Sequence, residues 1–208
     1  MTSVALVTAL IGIAATAVIY GTDVFCALVL RPAAGGATDA AVADLLGRVH
    51  HYGDRRLPVP GIAATLAAAV AAIASGTTIS RAGALLALLA LLTWLVIYLR
   101  VSAPINKRLR AAAAAGVVPA DTRTLQTRWD SVIWPRAALQ ALALTGLLLT
   151  ALTCQYRAAA LDSRTNPRLP TSPISHGVPV DDPLWNSTQS RERWAPCLVG
   201  ICSASTDA

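Results

Sequence analysis

VALVTALIGIAATAVIYGTDVFCALVLRP, residues 4–32, decides the class of this chain. Between Val4 and Leu30 the one ionisable side chain is Asp23. At about 1.5 Å per helical residue, the run is long enough to cross roughly 30 Å of hydrocarbon. Three more runs share this character. Leu57 to Ser80 and Ala82 to Leu99 carry no charge, and Trp134 to Tyr156 holds only Arg136 near its start, with Gln140 one turn on. The whole chain is 55% apolar and 13% charged, with a mean hydropathy of +0.56, which is too oily for a soluble domain of this size. A soluble bundle of Ala-rich helices would need polar faces that these runs lack. A cleaved leader is equally disfavoured for the first run, because Met-Thr-Ser supplies no basic n-region and the apolar stretch is too long.

The expectation is an all-α fold: a four-helix transmembrane bundle with a short accessory helix and a disordered C-terminal tail. The membrane domain covers 1–156, with spans at about 4–30, 57–79, 82–104 and 134–156, and the Pro-rich flexible tail covers 157–208. Pro32 and Gly35-Gly36 stop the first helix, and Thr38 caps an accessory helix from Thr38 to His50. The tight turn around Gly76 to Ser80 makes the second and third spans antiparallel neighbours. Pro104 ends or bends the third, Asp121 caps a helix leading into the fourth, and Pro135 kinks it. Trp94 and Tyr98 suit an interfacial belt, and Trp185 and Trp194 a weak anchoring of the tail.

The net charge of +6 sits on the segments between the apolar runs, which points to orientation in a bilayer and to no nucleic-acid partner. Four arginines between Arg31 and Arg56, and five basic residues between Ile105 and Ile133, oppose Arg81, Arg157, Arg164 and Arg168. The positive-inside rule therefore puts the basic loops in the cytoplasm and both termini outside, giving a multi-pass protein of the plasma membrane. Cys26 and Cys154 read as apolar fillers, Cys197 and Cys202 are close enough in sequence to bridge, and there is no CxxC redox pair. No residues have metal-ligand spacing, so neither a metal nor another cofactor is expected.

Asp23 lies roughly 12 Å below Arg31 along the helix, too deep for its short side chain to reach headgroup water. It must face inward, protonated or paired, and the available partner is Arg136, with Gln140 on the same face of the fourth helix. His50, His51 and Asn106 can close a polar cup from the cytoplasmic side, walled by Phe25, Trp129 and Trp134.

Gly21 to Pro32, Pro104-Ile-Asn106, and Trp129 followed seven positions later by Arg136 together resemble the DUF1772 family of anthrone oxygenase-like membrane proteins. The likeness runs over residues 4–156. The family's histidine between Trp and Arg is missing here, where the run is Asp-Ser-Val-Ile-Trp-Pro. The resemblance implies oxidation of an aromatic or quinone-like small molecule without metal or flavin. A base among Asp23, His50 and His51 would take a proton, Arg136 would stabilise the anion, and Asn106 would donate a hydrogen bond. Phe25, Trp129, Trp134 and Gln140 would contact substrate. A non-catalytic membrane scaffold, acting as a protein partner or oligomer, is the second reading. A small-molecule carrier is the third, weakened by the lack of inverted repeats and of a second intramembrane carboxylate.

Overall fold

The computed structural model describes residues 2–165, with side chains from 3 to 161, and the described residues form helices joined by short connections. Helix α1 (Thr2–Phe25) continues through a π-helical turn (Cys26–Leu30) into α2 (Arg31–Gly35). Then follow α3 (Asp39–Arg56), α4 (Pro58–Ala74) and α5 (Thr78–Ile97). A second π-helical turn (Tyr98–Ser102) joins α5 to α6 (Ala103–Ala115), and α7 (Thr122–Asp130) precedes α8 (Ile133–Thr165).

Three stretches, Ser3–Gly35, Thr78–Ala115 and Thr122–Leu161, are long and apolar enough to cross a membrane. Helices α3 and α4, bent by 41° at their junction, make a fourth when counted as one span. These helices make the chain a multi-pass membrane protein, with large apolar side chains such as Leu10, Ile73, Leu89 and Leu152 left facing outward.

Prolines explain both π turns. Pro32 and Pro104 each stand two residues beyond a turn, and a proline nitrogen cannot donate to the carbonyl four residues back. The ladder slips by one: Arg31 N–H bonds the Cys26 carbonyl, and Ala103 N–H bonds that of Tyr98. Hence the first helix does not stop at Pro32 as expected from sequence; it widens and runs on to Gly35. The chain likewise breaks at Ser131 and Val132, ahead of Pro135, so that proline falls in the first turn of α8 and does not kink a continuous helix.

Helix α1 packs against α4 and α8, and α5 packs against the same two. Their shared core is mostly alanine, with Leu91 and Leu147 fully buried among Ala64, Ala68, Ala87 and Ala143. Small side chains let the backbones approach, and this van der Waals contact replaces the hydrophobic drive that lipid cannot supply. Helices α5 and α8 approach closely, and a Cβ on Gly83 would stand 2.6 Å from the Gly146 carbonyl oxygen. A second core covers one end of these helices: Val42 and Leu46 of α3, Ile105 and Leu109 of α6, and Leu125 and Trp129 of α7.

Two differences from the sequence reading matter for the site. Thr38 caps α3 by accepting from Ala41 N at 3.3 Å, but α3 runs past His50 to Arg56. Helix α8 continues through residues assigned to the tail, as far as Thr165, and Arg157 donates to the Gly76 carbonyl at 2.5 Å. The expectations for Cys197, Cys202, Trp185, Trp194 and the tail beyond Thr165 fall outside the described residues.

Gly146→Ala should lower the melting temperature in detergent, because over-packing costs about 1–3 kcal/mol. Gly21→Ala, whose Cβ would meet nothing within 4 Å, should leave it unchanged or raise it. Equal effects from the two substitutions would show that α5 and α8 do not meet as described.

Candidate functional site

Asp23 is buried to 3% exposure, on the face of α1 turned to α8. Arg136 Nη2 donates to its Oδ1 at 2.7 Å, and Gln140 Nε2 donates to its Oδ2 at 2.9 Å. Arg136 and Gln140 reach it together because residues four apart share one helix face. The other terminal nitrogen, Arg136 Nη1, donates to Ser102 Oγ at 2.8 Å, in the second π turn. The guanidinium carbon lies 5.8 Å from the ring centres of both Tyr98 and Trp129, so two aromatic faces flank the cation. Carboxylate, guanidinium and amide thus tie α1, α8 and the end of α5 with charge-assisted bonds deep in an apolar bundle.

A second carboxylate, Asp54, lies across the same cavity and was not singled out by the sequence reading. Its Oδ1 accepts from Tyr98 Oη and from Asn106 Nδ2, both at 2.8 Å, and Arg110 Nη1 is 3.5 Å from Oδ2. The signal was present, since Asp54 stands four residues after His50 and shares its face if the helix is continued. Ending that helix at His50 hid it.

His50 is buried at 5% exposure against Trp129, with ring centres 5.3 Å apart.

These groups line one cavity of about 450 Å³, within the usual range for a small-molecule site. Asp23, His50, Asn106, Trp129, Arg136 and Gln140 all border it. Trp94 and Tyr98 do too, stacked with centres 6.1 Å apart, in place of the interfacial positions expected. The missing side chain of Gly61 makes room for the Trp94 ring.

His51, Phe25 and Trp134 do not reach the cavity. Phe25 and Trp134 are each two positions from an inward residue, Asp23 and Arg136, and a step of about 200° turns them outward. They are 55% and 49% exposed. His51 is the neighbour of inward-facing His50 and packs instead on Tyr52, with ring centres 5.1 Å apart.

Several cavity-lining atoms lack a protein partner among the described residues: His50 Nε2, Trp129 Nε1, Asn106 Oδ1 and Gln140 Oε1. Both amides point their nitrogens at carboxylates, which can only accept while ionised, so their oxygens are left as acceptors. The lining therefore offers carbonyl acceptors, an indole donor and an imidazole beside aromatic walls. Among the described residues, no three His, Cys, Asp or Glu side chains converge as a metal site would require.

No family model matches the chain, and neither a curated protein nor a solved structure does.

Arg136→Met should destabilise the protein by about 3–5 kcal/mol, since it strands a buried carboxylate. Adding Asp23→Leu should recover most of that loss in the same detergent melt. If the single and double variants melt together, the carboxylate and guanidinium are not energetically coupled.

Proposed function

We propose that this chain is a four-span enzyme of the DUF1772 type, which oxidises a hydroxylated aromatic ketone of the anthrone kind with dioxygen. In this reading the basic loops face the cytoplasm and both termini lie outside, in the plasma membrane. The observation that carries it is one aromatic-walled cavity holding two carboxylates and a histidine whose Nε2 has no partner among the described residues.

The chemistry needs a base, a polar grip on oxygen atoms and a dry setting. His50 takes a proton from the activated CH₂ carbon of the substrate, leaving an enolate. The developing negative charge and Asp54, four residues along α3, offset the cost of an imidazolium in this buried place. The enolate carbon gives its electrons to dioxygen, and the proton held by His50 passes to the resulting peroxide anion, which forms a hydroperoxide. Loss of the second hydrogen with cleavage of the O–O bond then releases water and leaves a carbonyl. The balance is CH₂ plus O₂ giving C=O plus H₂O. Asn106 Oδ1 and Gln140 Oε1 accept from phenolic hydroxyls, and Trp129 Nε1 donates to the ketone or enolate oxygen.

Arg136 has a different role from the one the resemblance implies. Both of its terminal nitrogens are committed, to Asp23 and Ser102, so it holds the floor of the cavity. Those two bonds also favour the second reading, a non-catalytic scaffold whose ion pair only fixes helix packing.

Purified protein in nanodiscs should convert anthrone to anthraquinone with uptake of one O₂ per product. His50→Gln should lower kcat by about 100-fold or more, the lower range for a general base, with little change in melting temperature. Unaltered turnover in that variant would remove His50 from the chemistry. An absence of both turnover and anthrone binding in the parent protein would leave the scaffold.

A further inference from the structure

The cavity is polar at one end and apolar at the other, and the two ends face different surroundings. Its polar groups lie under the second core, where α3, α6 and α7 pack across the helix ends. This roof is tight: a Cβ added to Gly47 of α3 would stand 2.6 Å from the Leu109 carbonyl oxygen of α6. Water above the roof is thus separated from Asp23 and His50 by a layer of Val42, Leu46, Leu109 and Leu125.

On its apolar side the lining passes between α4 and the π turn that ends α5. Ile62 and Leu66 on α4 and Leu99 in the π turn after α5 border the cavity, yet are 59%, 61% and 57% exposed. A side chain that is both cavity wall and outer surface marks a mouth. These side chains lie on helices whose remaining outer faces are apolar, so this mouth opens sideways toward lipid and not toward water. Helices α4 and α5 are held together at the far end by their short connection, where Ser75 Oγ and Ser80 Oγ are 2.9 Å apart. Nearer the mouth Gly61 and Thr65 keep the α4 wall low.

We infer that the ligand of this cavity comes from the bilayer and enters between α4 and α5, hydrogen-bonding end first. The ligand class is an uncharged amphiphilic aromatic with an apolar body or chain. Its hydroxyl or carbonyl groups meet Asn106, Gln140 and His50, while the apolar end remains against Ile62, Leu66 and Leu99. A permanently charged or sugar-conjugated aromatic cannot cross this mouth without shedding its hydration. A lipid acyl chain would fit the mouth but would leave the polar end unpartnered. The competing path is the edge of the roof, where Arg110 meets Asp54 at 3.5 Å. The substrate class rests on the oxygenase reading above; the route rests on the cavity alone.

Cys26 lines the cavity and gives a native reporter. The full chain carrying Cys154→Ala, Cys197→Ser and Cys202→Ser, in nanodiscs, would be treated with bilayer-soluble pyrenylmaleimide or with a sulfonated, impermeant maleimide. Cys26 should react at least tenfold faster with the pyrenyl reagent. Ile62→Trp with Leu99→Trp, at two outward positions that the fold tolerates, should slow that labelling at least fivefold. Comparable rates with the sulfonated reagent, no labelling by either, or a rate indifferent to the tryptophans would overturn the route. Gated labelling in a protein that does not oxidise anthrone would keep the route and discard the oxygenase. Anthrone turnover with KM unchanged by the two tryptophans would do the reverse.

Discussion

A carboxylate placed well inside an apolar helix must be compensated, and the pairing of Asp23 with Arg136 and Gln140 is the constraint on which the rest of the molecule depends. An isolated charge at that depth is costly, by a few kcal/mol even on the most lenient scale. Both oxygens of Asp23 are met by donors from one face of α8. That requirement fixes the rotation of α1 about its own axis, the rotation of α8, and their separation. Alanine and glycine then do the packing, because the charge cluster has already specified which faces meet. Ser102 extends the constraint to a third element, and it is the π turn before Pro104 that brings it there.

Much of this was legible from the chain as letters. The apolar runs marked the helices, since no soluble core needs so many in succession. Asp23 marked an inward face by its cost, and Arg136 with Gln140 marked the matching face by their spacing of four. Where the reading went astray, a local cue was allowed to stand for a three-dimensional one. Pro32 was taken as a stop, yet a proline inside a long apolar helix is accommodated by one wide turn. Phe25 and Trp134 were grouped with the cavity because they are neighbours in sequence of residues that do line it, and helical geometry turned them outward. Asp54 was passed over because the accessory helix was ended at His50, one turn short of it. Its partners, Tyr98 and Asn106, come from 44 and 52 positions away, a relation no local pattern carries.

The two carboxylates are not equivalent, and the difference separates architecture from chemistry. Asp23 has each oxygen held by a donor from α8 that is itself buried. Asp54 sits on α3, outside the interlocked bundle, held by a phenol and an amide that also border the cavity. His50 is carried on the same helix, one turn earlier. Two of the cavity's titratable groups therefore ride on an element that lies over the bundle and touches it chiefly through α6.

That division gives the cavity its direction. Groups that must never move are placed where lipid would punish any exposure, and groups suited to proton transfer are placed beneath a roof of amphipathic helices. The remaining wall, between α4 and the π turn after α5, is lined by the apolar side chains Ile62, Leu66 and Leu99. Its cohesion there depends on dispersion between side chains that lipid can replace at little cost. In a bilayer this is the wall that opens most readily, since parting it exposes apolar surface to an apolar solvent. Parting the roof would instead bring water to Val42, Leu46 and Leu109, at roughly 25 cal/mol for each Å² uncovered. The same arithmetic that buries Asp23 therefore favours lateral access to it.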